Sequence, residues 1–442
     1  MHIDHWMMFG TFAEQDHFAY PSKDAYRGVV INANMAAHAS EGLAAFLLEK
    51  TANHTYIIDP LTHSFQHDPY YISGKDRELK SSIAAIAESY GSPVRETAGQ
   101  RPITPADFKK GSVLEDFVTR CLTFQSSTLS QIMKESDAIK YLEATDQDLH
   151  PYALVAPYFF MTEATLDAWL EVAKRAADVA RRTVKSSKLF ISVVISRGVV
   201  ADRDHRKKLV DAFNPIEADG FLIWVDDLNE HQASSWELTG LLELARALRK
   251  DGRREVINLH GGYFSVLAAG VLGKSAMSGV THGPEFGEFR SVVPVGGGIP
   301  IARYYVPAIH SRIRYRDALR FFNRKGWLGS TKAFFQNVCD CSECKQTVGG
   351  DVGNFVKFGD SETKDVRRAG GVVRIDFPKT ETKLRCLRHY LQRKFLEYRF
   401  AATASEKQIV DDLELGRTEL EEVMGLDAVA HLALWKKTLL KS

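Results

Sequence analysis

Short apolar runs rich in β-branched residues alternate along the chain with longer stretches whose apolar residues recur every three or four positions. That alternation predicts parallel βα units. The runs are Gly28–Ala33, Thr55–Asp59, Tyr152–Phe159, Lys188–Ile195, Gly220–Val225, Glu255–His260, Ala276–Thr281 and Ala302–Pro307. Several are apolar at successive positions, as in Phe190-Ile191-Ser192-Val193-Val194-Ile195, which suits strands covered by helices on the outside. Clear helical patterns fall at Glu41–Lys50, Leu166–Lys185, Ser235–Lys250 and Phe264–Leu272. Eight strands alternating with helices predict an α/β fold of the (β/α)₈ TIM-barrel type over residues 1–311. The stretch between the second and third runs is too long for a loop. It predicts a helical insertion at about 75–150 with Leu114–Ser136 as its main helix. From 312 to 442 the pattern becomes helical and basic and marks a second module, which ends in two or three short amphipathic helices over Glu406–Lys441.

At 442 residues, with 45% hydrophobic and 26% charged residues, the chain suits a globular barrel with an appendage. No apolar run reaches the ~18–20 residues of a membrane span, so no membrane partner is expected. The start, Met1-His2-Ile3-Asp4-His5-Trp6, lacks the basic-then-apolar order of a signal peptide. The formal net charge is +1, so global charge points to no polyanion.

Cysteine usage changes the picture. Three of the five cysteines lie in Cys339-Asp340-Cys341-Ser342-Glu343-Cys344, and His389 follows on a predicted helix. One tight turn can present three thiolates to one ion, and Cys₃His is a usual structural zinc set. The competing reading is three small thiols, which protein surfaces tend to avoid because they oxidise. Cys386, one helical turn before His389, is the alternative fourth ligand. Clustered thiols argue for metal and not for disulfides, hence for a reducing, cytoplasmic setting. Residues 346–380, between the third cysteine and the histidine, have the composition of an inserted hairpin or loop.

The order Cys-x-Cys-x-x-Cys and then His, on the helix Leu384-Arg385-Cys386-Leu387-Arg388-His389-Tyr390-Leu391, resembles the zinc site of the tRNA-guanine transglycosylase family. That family carries it after a (β/α)₈ barrel. Ile58-Asp59-Pro60-Leu61-Thr62-His63-Ser64-Phe65-Gln66 is similar to the family's Asp-Ser-Gly-Gly-Phe-Gln segment. The resemblance implies that Asp59 is an acid/base carboxylate and that Ser64, Phe65 and Gln66 lie near a bound base. The family's glycines are missing here. Asn258-Leu259-His260-Gly261-Gly262 is similar to its Met-Gly-Val-Gly segment, implying close approach of a base to Gly261 and Gly262, with His260 as a proton carrier. Aligning Gly279-Val280 with the family's nucleophile segment puts Ser278 where a carboxylate should be. A serine cannot form the same glycosyl ester. Either Asp226 or Asp227 after the Gly220 strand, or Glu285, replaces it, with His282 as a second proton carrier at the mouth, or the family reaction is lost. The competing readings are a capped strand end for Asp59, a solvated turn for Asp226-Asp227 and a buried structural histidine for His260. Gly296-Gly297-Gly298 lacks P-loop context and reads as a turn.

Arg303, Arg312, Arg314, Arg316, Arg320, Arg324, Lys325 and Lys332 share thirty residues with one acid, Asp317. Lys383, Arg385, Arg388, Arg393, Lys394 and Arg399 follow on the histidine helix. Tyr304, Tyr305, Tyr315, Phe321, Phe322 and Trp327 interleave with the first set. Residues 303–332 and 383–399 are thus expected to meet DNA or RNA by phosphate contact and stacking. An ordinary solvated face is the competing reading, and the resemblance adds a homodimer or partner-protein interface. It implies an enzyme that exchanges or cleaves guanine or 7-deazaguanine bases on a nucleic acid or nucleotide, as in DNA modification or antiphage defence. The alternative is a degenerate scaffold that binds a base, nucleic acid or partner.

Overall fold

A computed structural model of the chain describes all residues except 1, 20–24, 52–53, 75–77, 137–148, 251, 285–286, 294–299, 369–370 and 442. The chain forms two compact units, His2–Pro294 and Val295–Lys441.

The first unit is a TIM-like barrel. Its strands are β1 (Asp4–Phe9), β2 (Gly28–Asn32), β3 (Thr55–Asp59), β4 (Ala153–Ala156), β5 (Phe160–Met161), β6 (Lys188–Ile195), β7 (Gly220–Val225), β8 (Glu255–Asn258) and β9 (Gly279–His282). Their order is β3-β2-β1-β9-β8-β7-β6-β4, with β5 continuing beside β6, and every pair is parallel. Trp6, Met8, Val30, Ile57, Val155, Phe190, Val194, Leu222, Trp224 and Ile257 fill the interior.

Two expectations need correction. Asp4–Phe9 is a barrel strand that the pattern missed, and Ala302–Pro307 is not one. Arg303–Val306 (β10) pairs antiparallel with Ser311–Arg314 (β11) in the second unit. The count of eight survives because one strand replaces another, and the unit boundary falls at 294, ahead of 311. The expected helical insertion contains Ser81–Tyr90 and the main helix Gly111–Glu135.

The ring has one seam, between β3 and β4, where Tyr152 N–H donates to Tyr56 O. Beyond that bond, side chains do the work of a ladder. Gln125 pairs with both backbone groups of Val155 at 2.8 Å. The Thr62 hydroxyl accepts from Tyr158 N–H at 2.8 Å and donates to Tyr158 O at 2.5 Å. Gln66 donates to Phe160 O at 3.1 Å and accepts from Phe160 N–H at 2.6 Å. Buried backbone groups need partners, and here three side chains supply them.

In the second unit, Thr331–Asn337, Ser342–Val348 and the long helix Thr380–Thr403 pack around Tyr304, Phe322, Phe334, Phe355 and Phe358. A two-stranded ribbon, β12 (Ser361–Arg368) with β13 (Gly371–Pro378), is the expected inserted hairpin. The helices Glu406–Met424 and Leu426–Lys441 close the chain. Among the described residues no helix is long and apolar enough to cross a membrane.

Candidate functional site

At the carboxyl end of β3, Asp59 is 3% exposed. Leu61 adopts a left-handed conformation and turns the chain sharply, so its N–H reaches back to Asp59 Oδ1 at 3.1 Å. Tyr158, held by the Thr62 clasp, donates its hydroxyl to the same oxygen at 2.6 Å. His63 Nδ1 lies 3.0 Å from the Tyr158 hydroxyl. Since the tyrosine proton goes to Asp59, His63 must donate, which makes a directed chain from His63 through Tyr158 to Asp59. Burial pushes the Asp59 carboxyl above its ordinary range, against the pull of Tyr158, Leu61 and Arg290. Burial, with His67, Arg290 and His260, holds His63 well below the usual histidine range, so its Nε2 is an acceptor.

The cluster extends around the mouth. The edge of His63 meets Trp224 at 5.1 Å, and Trp224 lies 4.9 Å from His260. His260 Nδ1 donates to Gly287 O at 3.1 Å, and burial together with Arg290 pushes its pKa down to about 3. Segment 287–293 spans the loops that follow β7 and β8. Arg290 O accepts from Trp224 Nε1 and from Asp227 N–H, both at 3.0 Å, and Val292 N–H donates to Asp226 Oδ1 at 2.7 Å.

The other expected residues are engaged as follows. Asp226 is held by Val292 N–H; burial raises its pKa, Asp227 adds to the rise and Arg197 opposes it. Asp227 is exposed and in a left-handed conformation. His282 lies beside Met7 in the ladder and so faces outward, where its Nε2 is 2.8 Å from His5 Nε2. It is not at the mouth. Both amide atoms of Gln66 are committed to Phe160, and Phe65 is buried, so of that triplet Ser64 alone has a partly exposed side chain that no other described residue engages. Gly261 is tightly packed, with a Cβ there falling 2.5 Å from Val280. Gly262 abuts two buried carboxylates, Glu230 and Glu288, at 2.7 and 3.1 Å from where its Cβ would be. Ser278 lies at the amino end of β9, bonded to both backbone groups of Val256. The alignment that placed it at the nucleophile position therefore puts it at the wrong end of the barrel. Glu285 and Gly296-Gly297-Gly298 lie outside the described residues. Tyr158, Trp224 and Arg290 were missed. Tyr158 lies within the predicted strand Tyr152–Phe159, where it read as one more apolar-faced strand residue.

In the second unit Cys339, Cys341, Cys344 and His389 are buried and offer four ligand atoms within 4.8 Å of one another, a set that can hold a metal ion. The Sγ atoms of Cys341 and Cys344 both lie 3.3 Å from His389 Nδ1. His389 Nε2 donates to Tyr305 O at 2.7 Å, which fixes the tautomer and leaves Nδ1 for an ion. Tyr304 stacks on His389 at 4.2 Å, and its hydroxyl meets Cys344 Sγ at 3.2 Å. Cys341 N–H and Cys344 N–H point at the sulfurs of Cys339 and Cys341. Cys386 is excluded as a ligand by its bond to Phe358 O, and burial pushes its thiol up to about 12.

Five of the six interleaved aromatics, Tyr304, Tyr305, Tyr315, Phe322 and Trp327, are buried core residues and offer no stacking surface. Lys394 is also buried, paired with Glu397 at 2.9 Å. Glu397 further accepts from the Tyr305 hydroxyl and lies 2.7 Å from His310 Nδ1.

No family model and no curated protein matches the chain. Solved structures that resemble it include a type I 3-dehydroquinate dehydratase from Clostridium difficile, at 10% identity and a TM-score of 0.33, over 66% of this chain and 88% of that one. An intracellular xylanase from Thermoanaerobacterium saccharolyticum gives 10% and 0.35, over 66% and 86%. The carboxyl transferase domain of Rhizobium etli pyruvate carboxylase gives 8% and 0.33, over 98% and 56%. None of these three is a transglycosylase, and likeness at this level says nothing about chemistry.

Proposed function

We propose that the chain is a barrel enzyme that handles a guanine or 7-deazaguanine base, cleaving or exchanging its N-glycosidic bond on a nucleotide or nucleic acid. The observation that carries this reading is the Asp59–Tyr158–His63 chain at the carboxyl end of β3. A departing base needs a proton, and a carboxyl held toward its protonated form by burial can give one. Tyr158 orients that carboxyl, and His63 orients Tyr158. The Cys₃His set supports the same reading, with zinc as the ion; the metal would stiffen the second unit and take no part in the chemistry.

A second reading has specific support. Segment 287–293 covers the cluster, and Asp226 is spent on holding that segment. A scaffold that binds a base or partner without turnover would tolerate this.

The test is exchange of labelled guanine into RNA, DNA and nucleotides, with calorimetry of guanine, 7-deazaguanine and adenine. Exchange that Asp59→Asn abolishes supports the enzyme. Guanine binding without exchange supports the scaffold, and no base binding at all refutes both.

A further inference from the structure

The second unit holds a cavity of about 290 Å³ that the barrel reading does not use. Arg314, Tyr315 and Arg316 form one wall, at the junction of β11 and the helix Tyr315–Arg324. Gly359, Ser361 and Asp376, at the base of the β12–β13 ribbon, form another. We propose that this cavity binds the phosphate of a phosphate ester bearing a sugar, either a free nucleotide or a nucleic-acid strand.

Four observations converge. First, Arg314 and Arg316 make no hydrogen bond or ion pair among the described residues, although many other basic residues of the chain do. Second, Arg314 stands directly opposite Arg303 in the β10–β11 ladder. Like charges facing one another across a ladder cost stability, and a bound anion would remove that cost. Third, the helix begins at this wall and no side chain caps it; Tyr315 N–H is taken by Ala302 O at 2.9 Å, and the amides that follow add to the positive field, offset in part by Asp317 in the same turn. Fourth, Tyr315 is 6% exposed, its hydroxyl has no partner among the described residues, and its ring packs so closely on Gly359 that a Cβ there would fall 2.0 Å away.

Asp376 refines the ligand. It is the acid of the lining, and its Oδ1 accepts from Thr363 at 2.8 Å. A carboxylate opposes a bare anion but suits a hydroxyl donor, so a sugar phosphate fits better than inorganic phosphate. The volume is at the lower end of small-ligand sites and admits one sugar phosphate.

The test measures binding of inorganic phosphate, ribose 5-phosphate, ribose and oligothymidylate with and without a terminal phosphate. These probes carry no guanine, so failure here is distinct from failure of the barrel reading. Ribose 5-phosphate should bind more tightly than phosphate, and ribose should not bind. Arg314→Gln and Arg316→Gln should each weaken it about tenfold, through loss of a charge-assisted contact. Arg314→Lys should lose less, and Arg320→Gln, at an exposed cation on the same helix, should lose nothing. Circular dichroism confirms that each variant is folded. If the oligonucleotide binds through the same two arginines, a strand is a source of the phosphate; if the sugar phosphate alone does, the source is a free nucleotide. The proposal is overturned if none of the probes binds, or if the double variant Arg314→Gln/Arg316→Gln binds like wild type.

Discussion

Thr62→Val is nearly isosteric and removes one hydroxyl, yet that hydroxyl satisfies both backbone groups of Tyr158 at the barrel seam. Thr62 is fully buried, so water cannot take its place. Each orphaned buried polar group costs about 1–3 kcal/mol, and the added methyl returns about 0.8 kcal/mol at most. The net local loss is then about 1–5 kcal/mol, which corresponds to amide exchange roughly fivefold to several-thousandfold faster. Hydrogen exchange of the 153–161 segment, followed by mass spectrometry, reads this directly and does not require the two-unit chain to unfold in one step. Acceleration confined to that segment supports the clasp. A change of less than about threefold, or one spread evenly over the barrel, would refute it. Because Tyr158 also orients Asp59, the same variant should lose base exchange if the proposed chemistry is correct.

Three further outcomes are expected. Asp59 prefers its protonated form when folded, so its contribution to stability is full below its ordinary value of 3.8 and is lost as pH rises through the raised folded value. Asp59→Asn should therefore stabilise the barrel at neutral pH and flatten that slope in urea titrations, while activity disappears; a slope identical to wild type would sink the assignment. Chelation, or Cys341→Ser, should lower the melting temperature of the second unit, with about one metal ion per chain in wild type by elemental analysis; full metal occupancy in the variant would contradict the ligand set. For Glu397, burial alone would raise its pKa, but Lys394, His310 and Tyr305 pull it down to about 2, so it stabilises the fold above its ordinary value of 4.5 and loses that effect as pH falls toward 2. Lys394→Met should cost about 3–5 kcal/mol in denaturant unfolding by leaving the carboxylate under-compensated, and a cost below 1 kcal/mol would contradict the pairing.

The residues that were legible are those whose partners lie close in sequence. Cys339, Cys341 and Cys344 share a single turn, and Asp59 follows a β-branched run. The barrel class was legible for the same reason, since each βα unit is local. β1 was not, because Asp4-His5-Trp6-Met7-Met8-Phe9 has no β-branched residue, while Arg303–Val306 looked like a barrel strand and pairs elsewhere. The seam and the Asp59 partner were illegible on physical grounds. Tyr158 is 99 residues from Asp59, and nothing local marks it as the tyrosine that turns toward that acid. The tyrosines and phenylalanines of residues 303–332 read as a stacking surface because interleaved aromatics look alike whether a core or a ligand covers them.

The β12–β13 ribbon enters the chain between the third cysteine and the histidine of the metal cluster, and its strands are mostly exposed. A loop whose two ends meet in one cluster can lengthen at small entropic cost, because closure entropy grows only with the logarithm of length. The exposed ribbon is thus an insertion port, a point where chain can be added at little cost in closure entropy, whereas Phe355 and Phe358 beside it belong to the core. The ribbon's base lines the arginine cavity, so shortening the strands above Asp376 should leave that wall in place.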